Sequence, residues 1–182
     1  MKLYPTEKIR NIGLIGHGGT GKTSLAEAML FHTGANNRIG RVDDDSSVMN
    51  YDAEEIKRKA TVGTSLAAIE YKDCKINLLD APGFDDFLGE VYKISGAIDM
   101  AIVTVNAQSG VEVGTEKNWA VMEMAKTPRI VYLSKLDKEN INLDKTFDSL
   151  KALDAKITPV IVPWGTFDKL KGVINLIDMK AY

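Results

Sequence analysis

Residues Gly16-His17-Gly18-Gly19-Thr20-Gly21-Lys22-Thr23 fit the pattern G-x-x-x-x-G-K-[ST]. Glycines at such spacing let backbone N–H groups converge on phosphate oxygens, and a helix starting at Lys22 adds partial positive charge there. In this pattern Lys22 bridges the β and γ phosphates and Thr23 offers its hydroxyl to Mg²⁺, with Ser24 completing the nucleotide-facing turn. The loop alone does not separate GTP from ATP, nor an NTPase from a kinase.

Two shorter runs follow in order. Asp80-Ala81-Pro82-Gly83 comes after the apolar run Ile76 to Leu79, so Asp80 stands at a strand's C-terminal end, where α/β sheets gather ligands. Asp80 can hold a water on Mg²⁺, and Gly83 can present its N–H to a γ-phosphate, with Phe84 next in line. In isolation this run is a turn; downstream of a phosphate loop it reads as a second part of one site. Ser134-Lys135-Leu136-Asp137 follows another strand ending at Leu133. An aspartate there accepts hydrogen bonds from guanine N1 and N2, which adenine does not supply, while the Lys135 stem packs on the base. GTP is therefore expected over ATP, and a P-loop ATPase or nucleotide kinase is disfavoured by Asp137.

Short β-branched runs alternating with amphipathic stretches must position these residues, which predicts an α/β fold with a mostly parallel central sheet flanked by helices. Strands are expected at Ile9 to Ile15, Leu66 to Tyr71, Ile76 to Leu79, Met100 to Val105, Ile130 to Leu133 and Pro159 to Trp164. The second and third form an antiparallel hairpin across Lys72-Asp73-Cys74-Lys75. Helices are expected from Lys22 to about Phe31 with Leu25, Ala28 and Met29 on one face, from about Asp86 to Ser95, around Glu116 to Ala125, and through Leu143, Phe147, Leu150 and Leu153. The polar stretch Gly34 to Lys59, with Asp43-Asp44-Asp45, shows little periodicity and reads as a long mobile excursion.

The chain has 182 residues, 45% hydrophobic and 26% charged, which suits one domain, residues 1–182. No apolar run approaches a membrane span. Met1 to Arg10 lacks the apolar core of a secretory signal, so a cytoplasmic location is expected. Lone Cys74 forms no internal disulfide, and a formal charge of −2 gives no broad basic face for direct nucleic-acid binding.

With these motifs in view the chain resembles the translational GTPases, and among them the elongation factor G group. The likeness also takes in Thr33-Gly34, Ile39-Gly40, Met49 to Val62, Gly110-Val111-Glu112 and Lys171-Gly172-Val173-Ile174. The resemblance implies a GTP-hydrolysing P-loop G domain that carries GTP or GDP with Mg²⁺ and acts with the ribosome. Thr61 then matches the first-switch threonine that ligates Mg²⁺, and Arg58 an arginine of that switch. It implies too that about 166–182 opens an inserted subdomain, beyond which the G domain continues, so that the chain is C-terminally truncated.

Several positions depart from the family. Phe84 stands where a histidine usually orients the attacking water, and neither His17 nor His32 is a ready replacement. Gly18 and Ala60 replace flanking apolar residues, so Phe84 is expected to pack against the phosphate loop. Gly19 replaces an aspartate, and Ser134 an asparagine whose hydrogen bonds a hydroxyl only partly reproduces. These departures leave open a module that binds GTP with little hydrolysis.

Overall fold

A computed structural model describes residues 2–182. β1 (Ile9–Ile15) enters the glycine loop, followed by α1 (Lys22–His32), α2 (Ala53–Arg58), β2 (Ser65–Tyr71) and β3 (Cys74–Asp80). Next come α3 (Leu88–Ser95), β4 (Met100–Asn106), α4 (Val113–Met124), β5 (Arg129–Ser134) and α5 (Leu143–Leu153). The chain ends in three short strands, β6 (Ile161–Trp164), β7 (Gly172–Asn175) and β8 (Lys180–Ala181).

The central sheet has the order β2-β3-β1-β4-β5, parallel except for β2, which runs antiparallel to β3. Its hairpin turns on Lys72 and Asp73, both at positive φ, as a tight two-residue connection requires. β3 therefore begins at Cys74, earlier than its apolar run. Because side chains alternate along a strand, neighbours part to opposite faces. Ile15 and Val103 join Val91, Trp119, Met122 and Leu150 in one core, whereas Leu14 and Ile102 join Ala26, Leu30, Ile69 and Leu78 in the other. The shared direction of β1, β3, β4 and β5 brings Gly16, Asp80, Asn106 and Ser134 to one edge of the sheet.

Four expectations need correction. The stretch read as a structureless excursion contains α2, started by the Asp52 side chain accepting from Glu54 N–H and closed by Lys59 in the left-handed conformation. Its only buried side chain is Glu55, so no apolar period marked it. α1 buries Lys22, Thr23, Ala26, Glu27 and Leu30, while Leu25 and Met29 of the expected stripe pack against the same core only partly buried, because a carboxylate occupies part of the inner face. α4 starts at Val113, since its first turn is buried through Gly114 and Thr115 instead of large apolar residues. The strand at Pro159 to Trp164 lies outside the central sheet: β6 pairs antiparallel with β7, and β7 with β8, in a separate three-stranded sheet.

Candidate functional site

The glycine loop bends where only glycine is comfortable: Gly16, Gly19 and Gly21 have φ of 138°, 72° and 89°. A side chain on Gly16 would collide with the Thr104 carbonyl, so the loop is pressed against the end of β4. Gly21 caps α1 without a side-chain hydrogen bond, leaving first-turn N–H groups to a ligand.

Lys22 is buried beneath the loop, where its Nζ donates to the Gly16 carbonyl at 3.1 Å and the His17 carbonyl at 2.8 Å. An ammonium has three donors, so one remains. Burial lowers its pKa to about 8, against the attraction of Asp80. Gly83 lies over the same spot, where a Cβ would strike Lys22 Nζ and come within 2.8 Å of Gly18 N.

Thr23 donates to Asp80 Oδ2 at 2.6 Å, and its oxygen is 3.2 Å from the Thr61 hydroxyl. Thr61 in turn reaches Asn50 Oδ1 at 3.5 Å. All four residues are buried. Asp80 Oδ1 is buried without a hydrogen-bond partner. Burial raises the Asp80 pKa to about 6; the Thr23 hydroxyl and Lys22 oppose the rise, while Glu55 and Glu27 add to it. Two hydroxyls and an orphaned carboxylate oxygen fit Mg²⁺, which prefers oxygen and takes few protein ligands when phosphates and waters share its shell. Among the described residues no three His, Cys, Asp or Glu side chains are grouped so as to hold a metal ion.

Two carboxylates that the sequence did not single out tether parts of the segment that leads to and carries Thr61. Glu27, fully buried on α1, accepts from Gly40 N–H, the Ser47 hydroxyl, Val48 N–H and Met49 N–H at 3.0, 2.7, 2.7 and 3.2 Å. Glu55 accepts from Val62 N–H at 2.9 Å and Gly63 N–H at 3.1 Å. A charged residue at a helix position flanked by Ala26 and Leu30 was the available signal for Glu27; Asn50 left none.

The Phe84 ring lies 3.2 to 3.4 Å from where a Cβ on Gly18 would sit, so the expected packing on the loop is present at Gly18. The ring remains 52% exposed. His17 turns toward α4, its Nε2 3.8 Å from Glu112 Oε1 and its ring against Gly114. His32 stacks edge-on with Phe31 at the far end of α1. Arg58 pairs with Glu54 on the exposed side of α2.

Ser134 donates to the Thr20 carbonyl at 2.7 Å, tying the end of β5 to the loop. Lys135 has φ of 59°, Leu136 accepts from Phe167 N–H through its carbonyl, and Asp137 is exposed beside Lys138. Ser24 is exposed on α1, while Ala81 and Pro82 are buried where β3 leads into Gly83. The fold thus gathers residues 16–23, Thr61, Asp80, Gly83, Phe84 and Ser134, and leaves Asp137 at the surface of the following turn.

The family model described as the elongation factor Tu GTP-binding domain matches residues 7–178. The chain belongs to this family. Elongation factor G of Granulibacter bethesdensis is 36% identical over 176 residues, covering 96% of this chain and 25% of that protein. Elongation factor G of Mycoplasma pneumoniae is 36% identical over 174 residues, covering 95% of this chain and 25% of its own length. A crystal structure of a Thermus thermophilus protein superposes with a TM-score of 0.91 at 39% identity, over 96% of this chain and 26% of that one. The chain spans about a quarter of these relatives, and the match across 7–178 agrees with the elongation-factor-G-type translational GTPase that its motifs suggested.

Proposed function

We propose that this chain is the GTP-binding switch domain of an elongation factor G-like translation factor, a cytoplasmic GTPase that works on the ribosome. The carrying observation is the meeting of Lys22, Thr23, Thr61 and Asp80 beneath one glycine loop. In this reading the backbone N–H groups of residues 16–23 and the start of α1 hold the phosphates. Lys22, already aimed by two carbonyls, places its remaining N–H on the β and γ phosphates and stabilises charge as the γ-phosphoryl group transfers. Mg²⁺ would neutralise phosphate charge; Thr23 and Thr61 would hold it, with Asp80 acting through water. Gly83 presents its N–H to the γ-phosphate, and Asp137 selects guanine while the Lys135 stem packs on it. Loss of the γ-phosphate would release the segment carrying Thr61 and Gly83. Residues 166–182 would belong to an inserted subdomain.

A second reading, a module that binds GTP but hardly hydrolyses it, is favoured by Phe84, whose ring offers no atom to orient water. Single-turnover GTP hydrolysis, with and without ribosomes, separates the two. Ribosome-stimulated turnover supports the switch GTPase, whereas binding without turnover in either condition supports the second reading.

A further inference from the structure

Thr20 and Thr104 are both fully buried, and their hydroxyl oxygens stand 2.7 Å apart across 84 positions of sequence. Thr20 Oγ1 also lies 2.9 Å from the His17 carbonyl, and Thr104 Oγ1 3.1 Å from the Ile15 carbonyl. Two hydroxyl protons serve at most two of these three contacts; when Thr20 donates to the His17 carbonyl, the pair bond is Thr104 donating to Thr20. The His17 carbonyl is also one of the two that aim Lys22. Thr20 is held twice, its side chain by β4 through Thr104 and its carbonyl by β5 through Ser134. The Thr104 backbone is the surface on which Gly16 rests.

We propose that Thr104 is a positioning residue for nucleotide binding: its hydroxyl braces the phosphate loop through Thr20 and keeps the His17 carbonyl, and so Lys22, in binding geometry. This rests on the nucleotide-binding reading above. A loop that must present its N–H groups in one arrangement binds more tightly when that arrangement is fixed beforehand, because less ordering is left for the binding step. A hydroxyl pair sealed from water is suited to this, since it makes no contact with ligand and has no solvent competing for it.

The test is the dissociation rate of fluorescent GDP from the full chain carrying Thr104→Val, Thr104→Ser, Thr20→Val or both valines, each checked by circular dichroism and melting without nucleotide. Thr104→Val preserves shape and is expected to speed release roughly fivefold, the worth of one hydrogen bond. Thr104→Ser should restore the rate to within about twofold, which a requirement for side-chain bulk alone would not do. Thr20→Val should be at least as severe, and adding Thr104→Val to it should change nothing more, because the Thr104 hydroxyl acts through Thr20. Release unchanged in Thr104→Val, or a Thr104→Val effect that persists undiminished beside Thr20→Val, overturns the proposal. If Thr20→Val does not fold, the valine and serine variants of Thr104 decide alone. Failure of the unmodified chain to bind fluorescent GDP would instead count against the nucleotide reading.

Discussion

The hydroxyl oxygens of Thr23 and Thr61 stand 3.2 Å apart in the buried interior, across 38 positions of sequence. Thr23 is fixed on the first turn of α1 and bonded to Asp80, so the pairing depends on how the segment carrying Thr61 folds back over the loop. Thr61→Val keeps the branched shape and removes the oxygen. It is expected to weaken a non-hydrolysable GTP analogue with Mg²⁺ about tenfold, as loss of a charge-assisted contact does, while GDP binding changes by less than about twofold. Titration calorimetry with both nucleotides checks this, and equal losses for the two would contradict it.

Glu27 holds the other end of that segment. A glutamine there turns two donors toward groups that are themselves donors, so Glu27→Gln should cost about 2 kcal/mol of stability. Amide exchange at Val48 and Met49, which bond to this carboxylate, should quicken together with the fall in melting temperature. Protected amides in a folded Glu27→Gln protein would show that the tether lies elsewhere.

Asp80 gives the nucleotide-free protein a distinct pH dependence. Its carboxyl holds a proton up to about pH 6 when folded but only to about 3.8 in the unfolded chain, so between those values the folded state binds more protons and stability falls as pH rises. Lys22 acts at higher pH with the opposite slope: it releases its proton near 8 when folded against 10.5 otherwise, so its burial cost is relieved as pH rises above 8. Urea unfolding without nucleotide or Mg²⁺ should show Asp80→Asn gaining about 2 kcal/mol over the unmodified protein between pH 4 and pH 6.5. A difference that stays flat across that window would contradict the assignment.

The parts of the molecule legible in the sequence are those where local chemistry and tertiary role coincide. β1 and α1 flank a loop whose glycines and lysine have few other uses, so their bounds follow from Ile9 to Lys22 almost directly. α2 was hidden because Glu55, a carboxylate, is the residue it buries, and hydrophobic period cannot mark such a helix. The same applies to Glu27, whose partners lie 13 to 22 positions away in an irregular segment. Pairing of β6 with β7 instead of the central sheet is a choice of partner, which four apolar residues do not encode.

In the proposed readings, Phe84 is the residue that divides a hydrolysing switch from a binding-only module. Its ring touches the loop at Gly18, close to Gly83 and Lys22, yet carries no hydrogen-bonding atom. Phe84→His should raise ribosome-dependent single-turnover hydrolysis by roughly 10²-fold, the usual contribution of a positioned acid–base group, with little change in GDP affinity. An unchanged rate would mean that the side chain at this position does not limit hydrolysis.

Displacement of bound fluorescent GDP by unlabelled GTP and by ATP, in the presence of Mg²⁺, tests the central claim most directly. GTP should displace the label at near-stoichiometric concentration, while ATP leaves it in place at a large excess, since adenine offers Asp137 no N1 and N2 donor pair. Displacement by ATP as effective as that by GTP would contradict a guanine-nucleotide site.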